Sequence, residues 1–354
     1  MLSIYTTEDI ISAIYKDGDD KYTAWYDLIT KTRPILKVLL GENTDYDTDD
    51  YNPVYMLEKD HDINVEPEYT EDVGENSYLA SVVNMQQNSV ADPCAVFILD
   101  VDKETAKQIS DKYGIICHSF GESPITNPLF QESIEKDVDK AENNRGWHEL
   151  ILRDATVPSN SLVFIDRYLF SPDSGNITSR DGVENVFTIL DKALPLSLGV
   201  DYHVLLIFDA STVDKVDTFE RISTQVNNLK RRLNRPYNIT IETVSISSDD
   251  FNYDETHNRR ILSNYFIIRV DRSLKAFRGT KSLYTQSLWL DWAASKGVVR
   301  QLSSDAPAKA LYKYIKEVRS TIAQLKKSLG NVSFTQNGNP RIAISNISHR
   351  LLQI

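Results

Sequence analysis

Thr256-His257-Asn258-Arg259-Arg260-Ile261-Leu262-Ser263-Asn264-Tyr265 places an arginine two residues after a histidine and an asparagine seven residues after it. Alternation at period two would put His257 and Arg259 on the same face of a strand. An imidazole can attack phosphorus. A planar guanidinium can hold two phosphate oxygens at once. The stretch from Ile261 to Val270 is rich enough in apolar residues to read as one buried strand.

Upstream of it, apolar runs alternate with helical patterns. Ser161–Phe170 reads as a strand, and Pro172–Asp181 as a polar connection. Val183–Leu194 reads as a helix with Val186, Phe187, Leu190 and Leu194 on one face, closed by Pro195 and Gly199. His203–Phe208 is a second strand, Asp217–Leu233 a second helix started by Asp217 with Glu220 three residues on, and Ile239–Ile246 a third strand. The order predicts a mainly parallel mixed sheet covered by helices, an α/β fold.

The offsets of His257, Arg259 and Asn264 are those of the HxKxxxxD motif, with Arg for Lys and Asn for Asp. Together with the preceding β-α-β-α-β order, residues 161–278 resemble a half-domain of the phospholipase D superfamily. The resemblance implies a phosphohistidine intermediate on His257, no metal and no cofactor. It implies phosphate contacts from Arg259, Arg260, Arg272 and Ser273. Two departures weaken turnover. Asn264 brings no negative charge, and the family's Gly-Ser or Gly-Thr falls on Asp271-Arg272, where a carboxylate would repel phosphate. No second histidine has a basic residue two positions on, so an active enzyme would need a homodimer to supply the second copy. The chain is similar to the non-catalytic phospholipase D-like carboxy-terminal domains of microtubule-interacting and trafficking proteins. The expectation is therefore a binding or regulatory protein engaging nucleic acid or a protein partner. The alternative is a metal-independent phosphodiesterase or nuclease acting as a homodimer through His257. A scaffold in a bacterial multi-protein or phage-defence system is a third class. Under the structural alternative, Arg259 and Arg260 pair with carboxylates such as Asp166 or Asp271.

Charge is unevenly distributed. Residues 1–100 hold 21 acidic and 6 basic side chains, whereas residues 272–354 hold 3 and 14, in a chain of net charge −12. The basic end suggests nucleic-acid contacts from Lys230, Arg231, Arg232 and Arg235, and from Lys313 and Lys316 on a helix over 307–329; Trp289 and Trp292 could stack on bases. The acidic amino-terminal region suggests a protein partner. Residues 1–40 read as helical from Ile10, Ile11, Ile14, Tyr15, Trp25, Leu28 and Ile29, and 45–53 as a solvated acidic loop. Ala95–Leu99 reads as a buried strand, 103–113 as a helix ended by Gly114, 115–117 as a short strand, and 134–146 as a charged helix or loop. The expected organisation is an acidic, partly helical region over 1–90, an α/β segment over 91–160 with membership of the same sheet left open, a phospholipase D-like domain over 161–300, and a basic helix and tail over 301–354. The absence of a signal-type segment and of any apolar run near eighteen residues predicts a cytoplasmic location with no membrane contact. Cys94 and Cys117 form no framework and suit a reducing compartment.

Overall fold

The computed structural model describes residues 3–16, 25–26, 28–30, 34–48, 51–70, 92, 94–121, 134–139, 146–147, 158–171, 179–209, 216–245, 259–292, 320, 323 and 349–352. The chain is α/β and divides into two units, one built mainly from residues 1–132 and the other from 133–291 with 320–353.

In the first unit the opening residues make a strand, β1 (Ser3–Thr7), that passes directly into helix α1 (Glu8–Lys16). The reading of residues 1–40 as helical holds for Glu8–Lys16 and for the described residues among 25–30, but not for Ser3–Thr7 or for the stretch from Ile35. Ser3–Thr7 is β-branched and aromatic, which suits a pleated surface, and β2 (Ile35–Gly41) follows as a parallel neighbour. Helix α2 (Pro53–His61) starts on Asn52, whose side chain accepts from the Val54 N–H, with Pro53 at a position where no N–H is needed. Next come β3 (Asn64–Thr70), β4 (Ala95–Leu99), helix α3 (Lys103–Tyr113) and β5 (Ile116–Ser119). Asp102 caps α3, and Gly114 ends it at φ 64° with its N–H on the Ser110 carbonyl.

The five strands form one parallel sheet in the order β3-β2-β1-β4-β5. Residues 1–90 and 91–119 are thus not separate segments, because β4 pairs with β1. Sequence periodicity cannot show this, since it carries no pairing information. Glu8 and Asp9 occupy the first turn after β1 with no glycine between strand and helix. That crossover offers carboxylates where a doubly wound sheet would bind a diphosphate. Cys94 and Cys117 are buried and unbridged, and burial pushes both thiols up to about 12.

The second unit holds a seven-stranded mixed sheet in the order β6 (Ile134–Val138), β14 (Gln286–Trp292), β11 (Phe266–Val270), β10 (Arg259–Ser263), β7 (Ser161–Ile165), β8 (Tyr202–Phe208) and β9 (Ile239–Ser245). Its parallel part is β7 (Ser161–Ile165), helix α4 (Ser179–Ala193), β8 (Tyr202–Phe208), helix α5 (Val216–Leu233) and β9 (Ile239–Ser245). Every residue of β7 is buried, as a central strand between two neighbours requires. The single strand expected over Ile261–Val270 is an antiparallel hairpin, β10 (Arg259–Ser263) and β11 (Phe266–Val270). It turns at Asn264-Tyr265, where the Ser263 hydroxyl accepts from the N–H groups of Tyr265 and Phe266. That side-chain bonding lets a run of apolar residues reverse without a glycine.

Residues 134–138, expected as a helix or loop, form β6 (Ile134–Val138), antiparallel to β14 (Gln286–Trp292); pairing with a strand about 150 residues on overrides their charged composition. The second unit therefore begins before residue 161 and takes in residues near the carboxy-terminal end. The helix expected over 307–329 lies outside the described residues apart from positions 320 and 323. Among the described residues no helix is long and apolar enough to cross a membrane.

Candidate functional site

Four chain segments meet at one edge of the second sheet. β7 is parallel to β8 with Ile165 opposite Ile207, so Asp166 and Arg167 leave β7 next to the end of β8, where Arg167 comes level with Asp209 and its carbonyl accepts from the Asp209 N–H. β10 is antiparallel to β7, so its first residue, Arg259, comes to the same edge. β11 reverses again, and its end delivers Asp271, Arg272 and Ser273 there. This is the carboxyl edge of the parallel strands, at β7, where the chain has turned from β8 and β9 on one side to β10 on the other. Open α/β sheets bind ligands at such places. Helix α4 is pressed against the turn after β7: a Cβ on Gly182 would stand 1.9 Å from the Leu169 carbonyl oxygen, so only glycine permits the approach.

Asp166 organises the edge. Its side chain is wholly buried. Oδ1 accepts from the Tyr168 N–H at 2.9 Å, and Oδ2 accepts from the Ser273 hydroxyl at 2.7 Å and the Leu274 N–H at 2.6 Å. Burial pushes its carboxyl above the usual carboxylate range, opposed by those hydrogen bonds and by Arg259. Arg259 is only 8% exposed; it donates to the Asp271 carbonyl, and its guanidinium lies 5.6 Å from the Tyr168 ring centroid. Arg167 stands 5.3 Å from the same ring, and its Nε lies 3.0 Å from Asp209 Oδ2. The cations at this edge are thus engaged with carboxylates, a carbonyl and an aromatic face.

Of the residues predicted from sequence, the structure brings together Arg259 and Ser273. Arg272 is exposed beside them, 5.8 Å from the Tyr284 ring, with its N–H on Gln286 Oε1. Arg260 is half-buried opposite Arg269 on the neighbouring strand. Asn264 is not in this group. It sits at the far end of β10, where Oδ1 accepts from the N–H groups of Asn160 and Ser161, and Nδ2 donates to Asn160 Oδ1. Its amide ties the hairpin turn to the start of β7. His257, Lys313 and Lys316 lie outside the described residues.

The basic cluster at and just beyond the end of α5 is largely taken up within the unit. Arg232 makes a two-pronged bond to Glu184 at 2.7 and 2.8 Å and covers the Phe187 ring at 3.9 Å. Arg235 reaches Asp191 at 3.2 Å, and Lys230 donates to Asn238. Arg231 is exposed. Trp289 and Trp292 fall on β14.

Asp166, Arg167, Tyr168 and Asp209 were not singled out as site residues by sequence. A signal existed: Phe164-Ile165-Asp166 and Ile207-Phe208-Asp209 each end a buried apolar strand in a carboxylate. A second feature had no sequence signal. A cavity of about 690 Å³ is bounded by α4 and by Trp147, Phe277 and Arg278. Asn185 stands in its wall, accepting from the Trp147 indole N–H at 2.8 Å and the Phe277 N–H at 3.0 Å while donating to the carbonyls of Asp181 and Phe277. Arg278 forks onto Asp181 at 2.8 and 2.7 Å, holding the short strand β12 (Phe277–Arg278) to the helix.

No protein-family model matches this chain, and a search of curated proteins returns no match.

Proposed function

We propose that the second unit is a degenerate phospholipase D-like module that binds or regulates a partner and does not turn over phosphodiesters. The observation that carries this reading is the state of Arg259. As the motif's phosphate-gripping side chain it would need an open fork; instead it is buried beside Asp166 and committed to the Asp271 carbonyl. A phosphate there would have to displace those contacts and lie close to buried negative charge. The element order β7-α4-β8-α5-β9-β10 agrees with the order that the resemblance implies.

A protein partner fits better than nucleic acid. Arg232 and Arg235, half of the α5 cluster, are paired with α4 carboxylates, and the whole chain carries −12. Uncommitted cations, not paired ones, neutralise phosphates and release counterions.

The test is incubation of the full chain with labelled single- and double-stranded DNA and RNA in excess chelator, beside His257→Ala. The expected result is no cleavage by either protein, and weak retention of nucleic acid that vanishes by moderate salt. Chelator-resistant cleavage by the wild type that His257→Ala abolishes would establish the homodimeric phosphodiesterase instead.

A further inference from the structure

We infer that residues 349–352 form an acid-released latch: they dock on the amino-terminal ends of β7 and β8 while the His349 ring is neutral, and they leave when it takes up a proton. This goes beyond the binding reading and does not rest on it.

The geometry fixes the state of the ring. His349 is wholly buried, and its Nε2 lies 3.0 Å from the Leu162 carbonyl oxygen and 3.1 Å from that of His203. Carbonyls only accept, so Nε2 carries the hydrogen and Nδ1 is bare. Nδ1 is itself buried and, among the described residues, meets no hydrogen-bonding atom. An added proton would go there, into a place without an acceptor.

The surrounding groups oppose that proton. From β8, the His203 ring lies 6.1 Å away, and Tyr202 is buried beside the strand start with its hydroxyl on Ser159. From the segment itself, Arg350 is 3% exposed, with a guanidinium nitrogen 3.5 Å from the Asn160 carbonyl. Both His203 and Arg350 bear on the ring with the sign that resists protonation, while Asp201 acts on Arg350. From β7 the ring meets main-chain carbonyl, not carboxylate.

The anchors of the segment are Leu351 and Leu352, at 0% and 7% exposure, in a single 3-10 turn closed by the Leu352 N–H on the His349 carbonyl. One turn with two leucines is a small, local unit, so it can open without the sheet. Burial is the largest cause of a docked-state value pushed down to about 3, from 6.5 for a free ring. A base with a depressed value in the docked state keeps its docking above the free value and loses it as pH falls. At pH 5.0 the docking equilibrium weakens by about thirtyfold.

The test is amide hydrogen exchange on the full chain at pH 7.5 and 5.0, corrected for intrinsic rates, with carbon-13 NMR of the histidine rings. Peptides covering 349–352 are expected to lose about thirtyfold of their protection at pH 5.0, while Ile267 and Ile268 of β11 keep theirs. The His349 resonance should shift with the midpoint of that loss. His349→Gln, docked at pH 7.5, should show no step. Protection retained at pH 5.0, loss together with β11, or an equal step in docked His349→Gln would overturn the latch. If His349→Gln does not dock, the wild-type midpoints decide: a ring that titrates apart from the protection overturns it.

Discussion

Replacing Asp166 by asparagine tests whether the carboxyl edge of the second sheet is held by one buried carboxylate. The wild-type side chain accepts three bonds, from Tyr168 N–H, the Ser273 hydroxyl and Leu274 N–H, with no solvent contact. Asparagine keeps one acceptor oxygen and puts an NH₂ group in the place of the other. Whichever way the amide is turned, at least one buried N–H faces another donor. An unsatisfied buried donor costs about 1–3 kcal/mol, and the bonds that remain lose their charge assistance. Arg259 also loses a neighbouring negative charge. Relief of the carboxylate's desolvation offsets part of this, since burial is what raises its carboxyl. The net expectation is a loss of about 3 kcal/mol from the second unit, or a fall of roughly 6–12 °C in its melting temperature for a unit of this size.

Scanning calorimetry of the wild type and variant would read the shift. Ser273→Ala alone should cost about 1 kcal/mol. Combined with Asp166→Asn it should cost less than the sum, because the two share one hydrogen bond. A shift under about 2 °C, or strict additivity with Ser273→Ala, would refute the assignment of Asp166 as the centre of the edge.

Three further outcomes follow from the same contacts. Gly182→Ala should unfold the second unit or render it insoluble, because its methyl would overlap the Leu169 main chain; circular dichroism and soluble yield read this, and a shift below about 1 kcal/mol would mean that the helix gives way freely. Asn185→Leu removes four hydrogen bonds and leaves the Trp147 indole N–H unsatisfied, with an expected loss of about 3 kcal/mol in urea denaturation and a change in tryptophan emission. Arg232→Ala breaks an exposed pair and should cost less than about 1 kcal/mol while changing nucleic-acid retention by less than twofold; a larger drop in retention would show that α5 meets phosphate despite Glu184.

Much of the second unit was legible along the chain. Ser161–Ile165, Tyr202–Phe208 and Ile239–Ser245 are near-continuous apolar or β-branched runs, and α4 and α5 repeat their apolar residues at helical spacing; period and length distinguish the two. β6 was not legible, because Ile134–Val138 carries alternating charge and becomes a strand only by pairing with β14. Nor was the turn at Asn264-Tyr265, which is made by the Ser263 hydroxyl and the Asn160–Ser161 backbone, the latter about a hundred residues upstream.

The site divides the same way. A one-dimensional offset put Arg259 and Asn264 in one motif, yet a five-residue strand carries them to opposite ends of β10, about 13–17 Å apart at roughly 3.3 Å per residue. Local pattern determined which segments become strands and helices, because alternation and helical spacing are properties of neighbours in the chain. Which strands pair, where a hairpin turns and which carboxylate receives each arginine were decided only by the tertiary structure. Those contacts join residues far apart in sequence, and burial of a charge is resolved by whichever partner the packing brings to it.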